Sequence, residues 1–223
     1  MQTTNRTAFA TLPPHLVIDS AFGADLADRL LAFAIAREAD FLDTSVGRNK
    51  TESGNGLINK AIRSSRAIRD FGSLRPELEA AFHAVLPHAV SQLGLAEDPP
   101  DRLALELAAH GDGDFYRRHI DTFVGNSKPK SNRALTGVYY VHSTPRAFSG
   151  GALRLHSILP VEQGGASIDI EPVHDRLLLF PAWVPHEVCT VTCPGGDFAD
   201  ARFAINCWYL REAPDPTGPE RKI

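Results

Sequence analysis

The spacing of apolar residues divides the chain into a helical N-terminal part and a strand-rich remainder. The short apolar run at residues 16–19 predicts a strand. A helix is expected from about residue 23 to residue 37, because apolar residues recur there every three or four positions and would form one stripe. The members of that stripe are Leu26, Leu30, Leu31 and Ala34.

A second helix is expected to begin near Pro76, because proline suits the first turn of a helix. Its apolar stripe consists of Leu78, Phe82, Val85 and Leu86. Pro87 should kink this helix or split it in two, since proline lacks the backbone N–H that a helix interior uses. Gly94 favours termination of the helix as its C-cap.

From Leu103 onward, short apolar runs alternate with clusters of Gly, Pro, Asn and Asp, which predicts strands separated by turns. The eight predicted strands span residues 103–109, 114–122, 134–142, 152–157, 167–171, 176–180, 186–193 and 202–210. So many short strands in one block indicate a sandwich or a jelly-roll barrel. We therefore predict an α+β fold with a mainly β core and with the N-terminal helices packed on the outside of one sheet.

Residues 43–65 are rich in Ser, Gly, Asn, Lys and Arg and have no apolar period, which predicts a long loop with at most a short hairpin. Long loops in compact domains are often functional, so this one is either a lid or a solvated connection. A lid here would bring basic side chains to an acidic or peptide substrate. The basic residues concerned are Arg48, Lys50, Lys60, Arg63 and Arg66.

The length of 223 residues suits one domain with a helical part over 1–101 and a strand-rich core over 102–211. The net charge of −4 gives no reason to expect nucleic acid or an anionic membrane as a partner. No signal peptide and no apolar run of membrane-spanning length is visible. Three cysteines, an odd number, favour a reducing compartment, so we predict a cytoplasmic protein.

His119 and Asp121 lie two positions apart on a predicted strand, so their side chains should share one face. The distant His186 completes a set of two histidines and one carboxylate, which suits Fe(II) because it leaves coordination positions open for substrates. Of the other histidines, three lie in the helical part, His110 precedes a Gly-Asp-Gly turn, and the remaining three lie near strand ends or in turns without a carboxylate two residues away on a matching strand face. The pattern His-x-Asp is common by chance. Its value as evidence for a metal site therefore depends on the predicted strands around it and on the distant histidine.

Arg202 begins the last predicted strand and shares one face with Ala204, Asn206 and Trp208. On the inner face of a barrel, an arginine is costly unless it is paired, and no carboxylate within the strand can pair with it. A bound dicarboxylate would match the guanidinium in bidentate geometry. The alternative is an exposed arginine at the start of a strand.

Several stretches resemble the 2-oxoglutarate- and Fe(II)-dependent dioxygenases, in particular the prolyl 4-hydroxylase-like branch. They cover roughly the C-terminal half of the chain in the family's order, and they are specific together rather than singly. The matching stretches are YRRHID (116–121), LTGVYYVH (135–142), SGGALRLH (149–156), IEPVHDRLLLFPAWVPHEV (170–188) and RFAINCWYL (202–210).

The resemblance implies a double-stranded β-helix (jelly roll) within a single oxygenase domain over residues 1–223. It implies that His119, Asp121 and His186 bind iron. It also implies that Arg202 binds the distal carboxylate of 2-oxoglutarate with help from the Tyr140 hydroxyl. Further positions that it places around the cosubstrate or iron pocket are Tyr116, Leu153, Asn206 and Trp208.

Tyr116 is the one implied pocket residue whose position conflicts with simple strand geometry. It precedes His119 by three residues, so on a regular strand the two side chains would face opposite ways. If Tyr116 lines the pocket, a bulge or a twist must lie between them.

The resemblance implies Fe(II) as cofactor and 2-oxoglutarate and O2 as cosubstrates, with ascorbate left open as a further reductant. The implied reaction hydroxylates an unactivated C–H bond and releases succinate and CO2. Related halogenases carry a small residue where Asp121 stands, so the carboxylate favours hydroxylation. The substrate stays open between a prolyl residue of a protein or peptide and a free amino acid or small metabolite. A non-catalytic jelly-roll binding or sensor protein is the alternative of another class, and the oligomeric state is open.

Overall fold

The computed structural model describes residues 9–44, 59–95, 100, 102–123 and 131–212. Helix α1 spans Ala24–Ala36 and helix α2 spans Arg75–Gln92. The strands in the described ranges are β1 (Leu16–Ile18), β2 (Leu42–Asp43), β3 (Arg63–Ser64), β4 (Arg66–Ile68), β5 (Arg102–His110), β6 (Phe115–His119), β7 (Ser131–Val141), β8 (Ser149–Gly150), β9 (Leu153–His156), β10 (Ser167–Ile170), β11 (Arg176–Pro181), β12 (His186–Val188), β13 (Val191–Thr192) and β14 (Arg202–Glu212).

The strands form two antiparallel sheets and one small ribbon. The larger sheet has seven strands in the order β1-β11-β7-β14-β5-β4-β2, and the smaller has five in the order β10-β9-β12-β6-β3. Strands β13 and β8 pair separately. The described chain is therefore mainly β with few helices, as the apolar pattern predicts.

Each of the eight segments predicted to be strands contains one, and the predicted strand near residue 16 is also confirmed. Residues 186–193 split into β12 and β13, because Cys189 and Thr190 bond outside both ladders. The Cys189 N–H donates to the Ala152 carbonyl at 2.9 Å, and the Thr190 carbonyl accepts from the Gly151 N–H at 3.1 Å. The unpredicted strands β2, β3, β4 and β8 have only two or three residues each, too few to show a periodic pattern.

Both helices cover the outer face of the seven-stranded sheet, where an apolar layer joins them to it. Leu30 of α1 and Leu78 and Phe82 of α2 are fully buried there. Tyr209 of β14 donates its hydroxyl to the Phe82 carbonyl at 2.8 Å, which ties α2 to the centre of the sheet. The apolar stripes predicted from sequence therefore face the sheet.

Helix α2 continues through Pro87 as one helix, so the predicted split into two does not occur. Proline removes one backbone N–H. The buried side chains on either side, among them Leu86 and Ala89, keep both halves against the sheet. The helix ends two residues before Gly94, whose φ of 60° suits the left-handed turn that follows many helices. Among the described residues, no helix combines the length and apolar character that crossing a membrane requires.

The inner faces of the two sheets meet in a second apolar layer. Val138, Leu178 and Phe180 come from the larger sheet, and Leu153 and Leu155 come from the smaller one. Side chains of β6 and β12 in the smaller sheet line one cavity with side chains of β5, β7 and β14 in the larger one. The polar residues that these strands turn inward define the site described next.

Asp175 joins the N-terminus of α1 to the sheet through one buried and two partly buried hydrogen bonds. Its Oδ1 accepts from the Phe22 N–H at 2.9 Å and from the Tyr139 hydroxyl at 2.8 Å, and its Oδ2 accepts from the Gly23 N–H at 3.0 Å. Asp175 has a φ of 58°, a conformation that Asn also tolerates.

We expect Asp175→Asn to lower the free energy of unfolding by about 1–3 kcal/mol, because the new amide NH2 would replace one acceptor oxygen in front of the two backbone N–H groups and the buried Tyr139 hydroxyl. Asp19→Asn is the matched control, because the exposed carboxylate of Asp19 pairs with Arg176 at the surface, and it should lower the free energy of unfolding less than Asp175→Asn does. Urea unfolding of the three proteins measures both losses. Equal losses in the two variants would contradict the capping role of Asp175.

Candidate functional site

Three potential metal ligands converge at the adjoining ends of β6 and β12. His119 is the last residue of β6, His186 is the first residue of β12, and the two are cross-strand partners. Asp121 lies two residues beyond His119, outside the strand, and its backbone N–H donates to the Ala182 carbonyl at 2.9 Å. One ligand atom from each of the three side chains lies within 4.8 Å of the other two.

The hydrogen bonds of the two histidines fix which ring nitrogen can bind a metal. His119 Nδ1 lies 2.8 Å from the Arg117 carbonyl, and His186 Nδ1 lies 2.9 Å from the Val184 carbonyl. A carbonyl only accepts, so each Nδ1 carries the proton and each Nε2 keeps its lone pair. Burial lowers the pKa of His119 to about 3. Its ring is therefore neutral and ready to ligate at neutral pH.

Asp121 is oriented by three donors. Its Oδ1 accepts from Arg133 at 3.0 Å, and its Oδ2 accepts from Thr136 at 2.8 Å and from the Trp208 indole N–H at 2.9 Å. Burial by itself would raise the pKa of Asp121, but His186 and Arg133 hold it below the usual value. The carboxylate is thus ionised, and its two oxygens retain lone pairs for a metal.

The donor set fits a divalent transition metal. Two neutral imidazole nitrogens and one carboxylate form the facial set that non-heme Fe(II) oxygenases use, with coordination positions left open. The distances from Asp121 to the Nε2 atoms of His119 and His186 are 3.9 and 3.7 Å. A single ion between these groups would offset the charge of the buried carboxylate.

A cavity of about 510 Å³ lies beside these three residues, between the two sheets. Its walls include every other predicted pocket residue except Tyr140. Those lining residues are Tyr116, Leu153, Arg202, Asn206 and Trp208. Tyr140 adjoins this wall, because its ring centroid is 5.0 Å from the Arg202 guanidinium carbon.

Tyr116 reaches the cavity because the β6–β12 pairing is irregular. His186 pairs with His119 and Val188 pairs with Tyr116, so two steps along β12 match three steps along β6. The extra residue in β6 turns Tyr116 to the same side as His119, and their rings stack with centroids 3.6 Å apart. The bulge that a pocket position for Tyr116 requires is therefore present.

Arg202 is an almost fully buried cation, with 1% of its surface exposed. Its Nε donates to the Gly151 carbonyl at 2.7 Å, while its Nη2 has no hydrogen-bond partner among the described residues. The Tyr140 hydroxyl is likewise buried and without a partner in the described part of the chain. Burial lowers the pKa of Arg202 and raises that of Tyr140 to about 12. An anionic ligand could accept hydrogen bonds from both of these buried donors.

Gly151 makes room for Arg202. Its φ is +69°, and a Cβ added there would lie 2.7 Å from Arg202 Cδ. The neighbouring Gly150 has a φ of +67°, and its added Cβ would lie 2.4 Å from the Thr190 carbonyl oxygen. The Gly-Gly pair therefore permits a tight turn and also leaves the space into which the arginine packs.

A second polar cluster in the cavity was not foreseen from sequence. Glu106 of β5 is buried and accepts from Arg63 at 2.8 Å and from Arg69 at 2.7 Å. Arg63 therefore belongs to the cavity wall rather than to a lid, as its pairing with Glu106 requires. Lys60 pairs with Asp43, and Arg66 with Glu38.

The rest of the predicted lid, including Arg48 and Lys50, lies outside the described residues. Other cavity residues missed by the sequence argument are His110, Arg133 and Thr136. Thr136 shares a strand face with Tyr140, and Glu106 is a lone charge in an apolar strand. Those two signals were available from the sequence.

Glu106 should make the protein sensitive to acid. Burial would raise its pKa, but Arg63 and Arg69 hold the pKa below the usual value. A carboxyl whose folded-state pKa is depressed stabilises the fold above the unfolded pKa, and that contribution is lost as pH falls through the folded pKa. We expect the free energy of unfolding to decline below about pH 5, and to decline less steeply in Glu106→Gln.

Urea unfolding at a series of pH values measures that slope, with exposed Glu162→Gln as the control. If Glu106→Gln and Glu162→Gln follow the same acid profile, Glu106 does not carry the effect.

The match to known proteins agrees with this geometry. Residues 105–210 match the model of the 2OG-Fe(II) oxygenase superfamily. This strand-rich part of the chain belongs to that superfamily. An uncharacterized PKHD-type hydroxylase of Synechocystis sp. is 35% identical over 191 residues. The alignment covers 82% of this chain and 59% of that relative, so the chain spans well under two thirds of the relative's length.

Solved structures of prolyl hydroxylases share the fold. A Pseudomonas putida prolyl-4-hydroxylase superposes with a TM-score of 0.65 at 23% identity, covering 93% of this chain and 97% of that one. A Trichoplax adhaerens prolyl hydroxylase, in complex with a hypoxia inducible factor peptide fragment, superposes with a TM-score of 0.62 at 23% identity, covering 88% and 83%. The family predicted from the sequence motifs, with its Fe(II), 2-oxoglutarate and O2, is thereby confirmed.

Proposed function

We propose that this chain is a 2-oxoglutarate- and O2-dependent Fe(II) oxygenase that hydroxylates an unactivated C–H bond and releases succinate and CO2. One observation carries the proposal: the set His119, Asp121 and His186 shares a cavity with the buried Arg202, whose Nη2 lacks a partner among the described residues. A metal site alone would not need a buried arginine, since burying it costs free energy. A dicarboxylate cosubstrate supplies the reason for it.

In this proposal, His119 and His186 hold the metal through Nε2, and Asp121 supplies the third ligand. Arg133, Thr136 and Trp208 keep the carboxylate in place through the hydrogen bonds described above. When bound, Fe(II) supplies the centre at which O2 oxidises 2-oxoglutarate and the C–H bond of the substrate. The fixed Nδ1–carbonyl bonds mean that neither ring must reorient on loading.

Arg202 and Tyr140 would bind the distal carboxylate of 2-oxoglutarate. The guanidinium matches a carboxylate in bidentate geometry, and the phenol hydroxyl adds one donor. Val138, Leu153 and Val188 line the same cavity and would exclude water around the cosubstrate. Tyr116, Asn206 and Trp208 complete the pocket in this proposal. A single domain over residues 1–223 with a jelly-roll core would carry the site, which the two facing antiparallel sheets support.

For the substrate, we propose a prolyl residue of a peptide or protein. The support is the shared fold with the prolyl hydroxylases of P. putida and T. adhaerens, the second of which is named as a complex with a peptide. A free amino acid or another small metabolite is the alternative within the same chemistry. A binding or sensor protein without turnover is the alternative of another class.

Succinate release tests the proposal. The protein is loaded with Fe(II) without oxygen, mixed with 2-oxoglutarate and a panel of proline-containing peptides, free amino acids and metabolites, and then exposed to air. Mass spectrometry should find O2-dependent succinate and one candidate that gains one oxygen atom. If only a free amino acid gains an oxygen atom, the substrate is a small metabolite and not a prolyl residue of a peptide. No succinate with any candidate, despite bound metal and 2-oxoglutarate, would favour the binding protein.

The remaining expectations from sequence stay predictions. These are the cytoplasmic location, the absence of a nucleic-acid or membrane partner and the use of ascorbate.

A further inference from the structure

His110 is a buried cavity residue for which the proposed chemistry has no use so far. It is the last residue of β5 and the direct cross-strand partner of Arg202. Only 3% of its surface is exposed, and its side chain lines the cavity. Its Nε2 is buried and has no hydrogen-bond partner among the described residues. An unpaired polar nitrogen at this depth is costly, so it calls for a ligand.

Arg202 decides which nitrogen of His110 carries the proton. The His110 Nδ1 lies 3.5 Å from Arg202 Nη1, and a guanidinium nitrogen can only donate. Nδ1 is therefore the acceptor, and the proton lies on Nε2. Burial and the charge of Arg202 hold the pKa of His110 well below its ordinary value, so the ring carries no second proton. His110 thus presents one N–H donor to the cavity.

We propose that His110 Nε2–H donates a hydrogen bond to the same carboxylate that Arg202 binds. The inference rests on the proposed function, in which that carboxylate is the distal one of 2-oxoglutarate. Arg202 Nη2 and His110 Nε2 are unpaired donors on neighbouring side chains of one cavity, and a carboxylate has enough lone pairs to accept from both. The bonds to Gly151 and His110 hold the guanidinium in one orientation before the ligand arrives.

Matched ligands and matched variants separate this donor role from simple packing. The ligands are 2-oxoglutarate and 2-oxopentanoate, which has the same chain length but no distal carboxylate. The variants are His110→Phe, which keeps a ring without a donor, and His110→Gln, whose amide NH2 can replace Nε2–H. Calorimetric titration of the Mn(II)-loaded proteins, without oxygen, reads binding independently of turnover.

We expect His110→Phe to weaken 2-oxoglutarate binding by about 10- to 100-fold, the range for a hydrogen bond to a charged group. The affinity of the same variant for 2-oxopentanoate should stay within about twofold of the wild-type value, because that ligand has no distal carboxylate to accept the hydrogen bond. His110→Gln should recover most of the lost 2-oxoglutarate affinity. Thermal melting of each variant confirms folding, and His110→Leu replaces the Phe variant if the larger ring is not accommodated.

Two outcomes would overturn the proposal for His110. One is that His110→Phe lowers the affinity for both ligands equally, which would show that the residue acts through packing alone. The other is that His110→Phe binds 2-oxoglutarate as tightly as the wild type. The wild-type titrations test the underlying function separately: if the unmodified protein does not prefer 2-oxoglutarate to 2-oxopentanoate, the assignment of the cosubstrate fails first.

Discussion

Arg202→Leu is expected to weaken 2-oxoglutarate binding by about 30- to 5000-fold while leaving the metal affinity unchanged. The range is that of removing one partner of a buried, hydrogen-bonded charge pair. The metal ligands lie on other segments of the chain, and the side-chain hydrogen bonds of Arg202 go to Gly151 and His110, so the Mn(II) affinity should stay within about threefold. Titration of the cosubstrate into metal-loaded protein measures the effect.

The same substitution should stabilise the protein without its cosubstrate. The buried guanidinium has an unpaired Nη2 in the described structure, and leucine would remove that cost. We expect Arg202→Leu to raise the free energy of unfolding by about 1–3 kcal/mol, within the range seen when buried ionic groups are replaced by apolar ones. A stability gain together with lost binding would identify a residue kept for function.

Arg176→Leu is the control for both effects, because Arg176 is half-buried and pairs with Asp19 away from the cavity. Its expected consequence is a modest loss of stability with unchanged 2-oxoglutarate affinity. The role of Arg202 would be contradicted if Arg202→Leu bound 2-oxoglutarate as the wild type does, or if it lost metal and cosubstrate together.

His119→Ala is expected to lower the affinity for Fe(II) by more than about 100-fold. Loss of a hydrogen-bond partner behind a metal ligand typically lowers the metal affinity by about 10–100-fold, so loss of a ligand itself should lower it further. Two groups, Asp121 and His186, would remain, and a two-ligand site holds the ion weakly. Calorimetric titration with Fe(II) without oxygen measures the change.

The matched control is His83→Ala, which removes an exposed histidine from α2. It should leave the Fe(II) affinity within about twofold of the wild type. Unchanged Fe(II) affinity in His119→Ala would place the metal elsewhere in the molecule.

Local patterns in the sequence predicted much of the site. Residues two apart on a strand share a face, which joined Ala204, Asn206 and Trp208 to Arg202. The spacing of His119 and Asp121 pointed to one metal site, although Asp121 lies just beyond the end of β6. The mismatch between Tyr116 and His119 predicted that a bulge or a twist lies between them if both reach one cavity, and the structure has the bulge.

Contacts between distant segments were beyond that reasoning. Glu106 meets Arg63 from 43 positions away, and the pairing depends on how β3, β4 and β5 align. Sequence periodicity does not give strand order, so Arg63 was assigned to the 43–65 loop by composition alone. His110 was passed over for the same reason: its role depends on its cross-strand pairing with Arg202, 92 positions away.

The central claim is that one cavity binds Fe(II) and 2-oxoglutarate together, and a crystal structure of the ternary complex grown without oxygen tests it most directly. The account predicts an iron anomalous peak between the Nε2 atoms of His119 and His186 and the Asp121 carboxylate. It also predicts 2-oxoglutarate density with one carboxylate against Arg202. Iron at another site, or a cosubstrate that leaves the Arg202 guanidinium without a carboxylate partner, would contradict it.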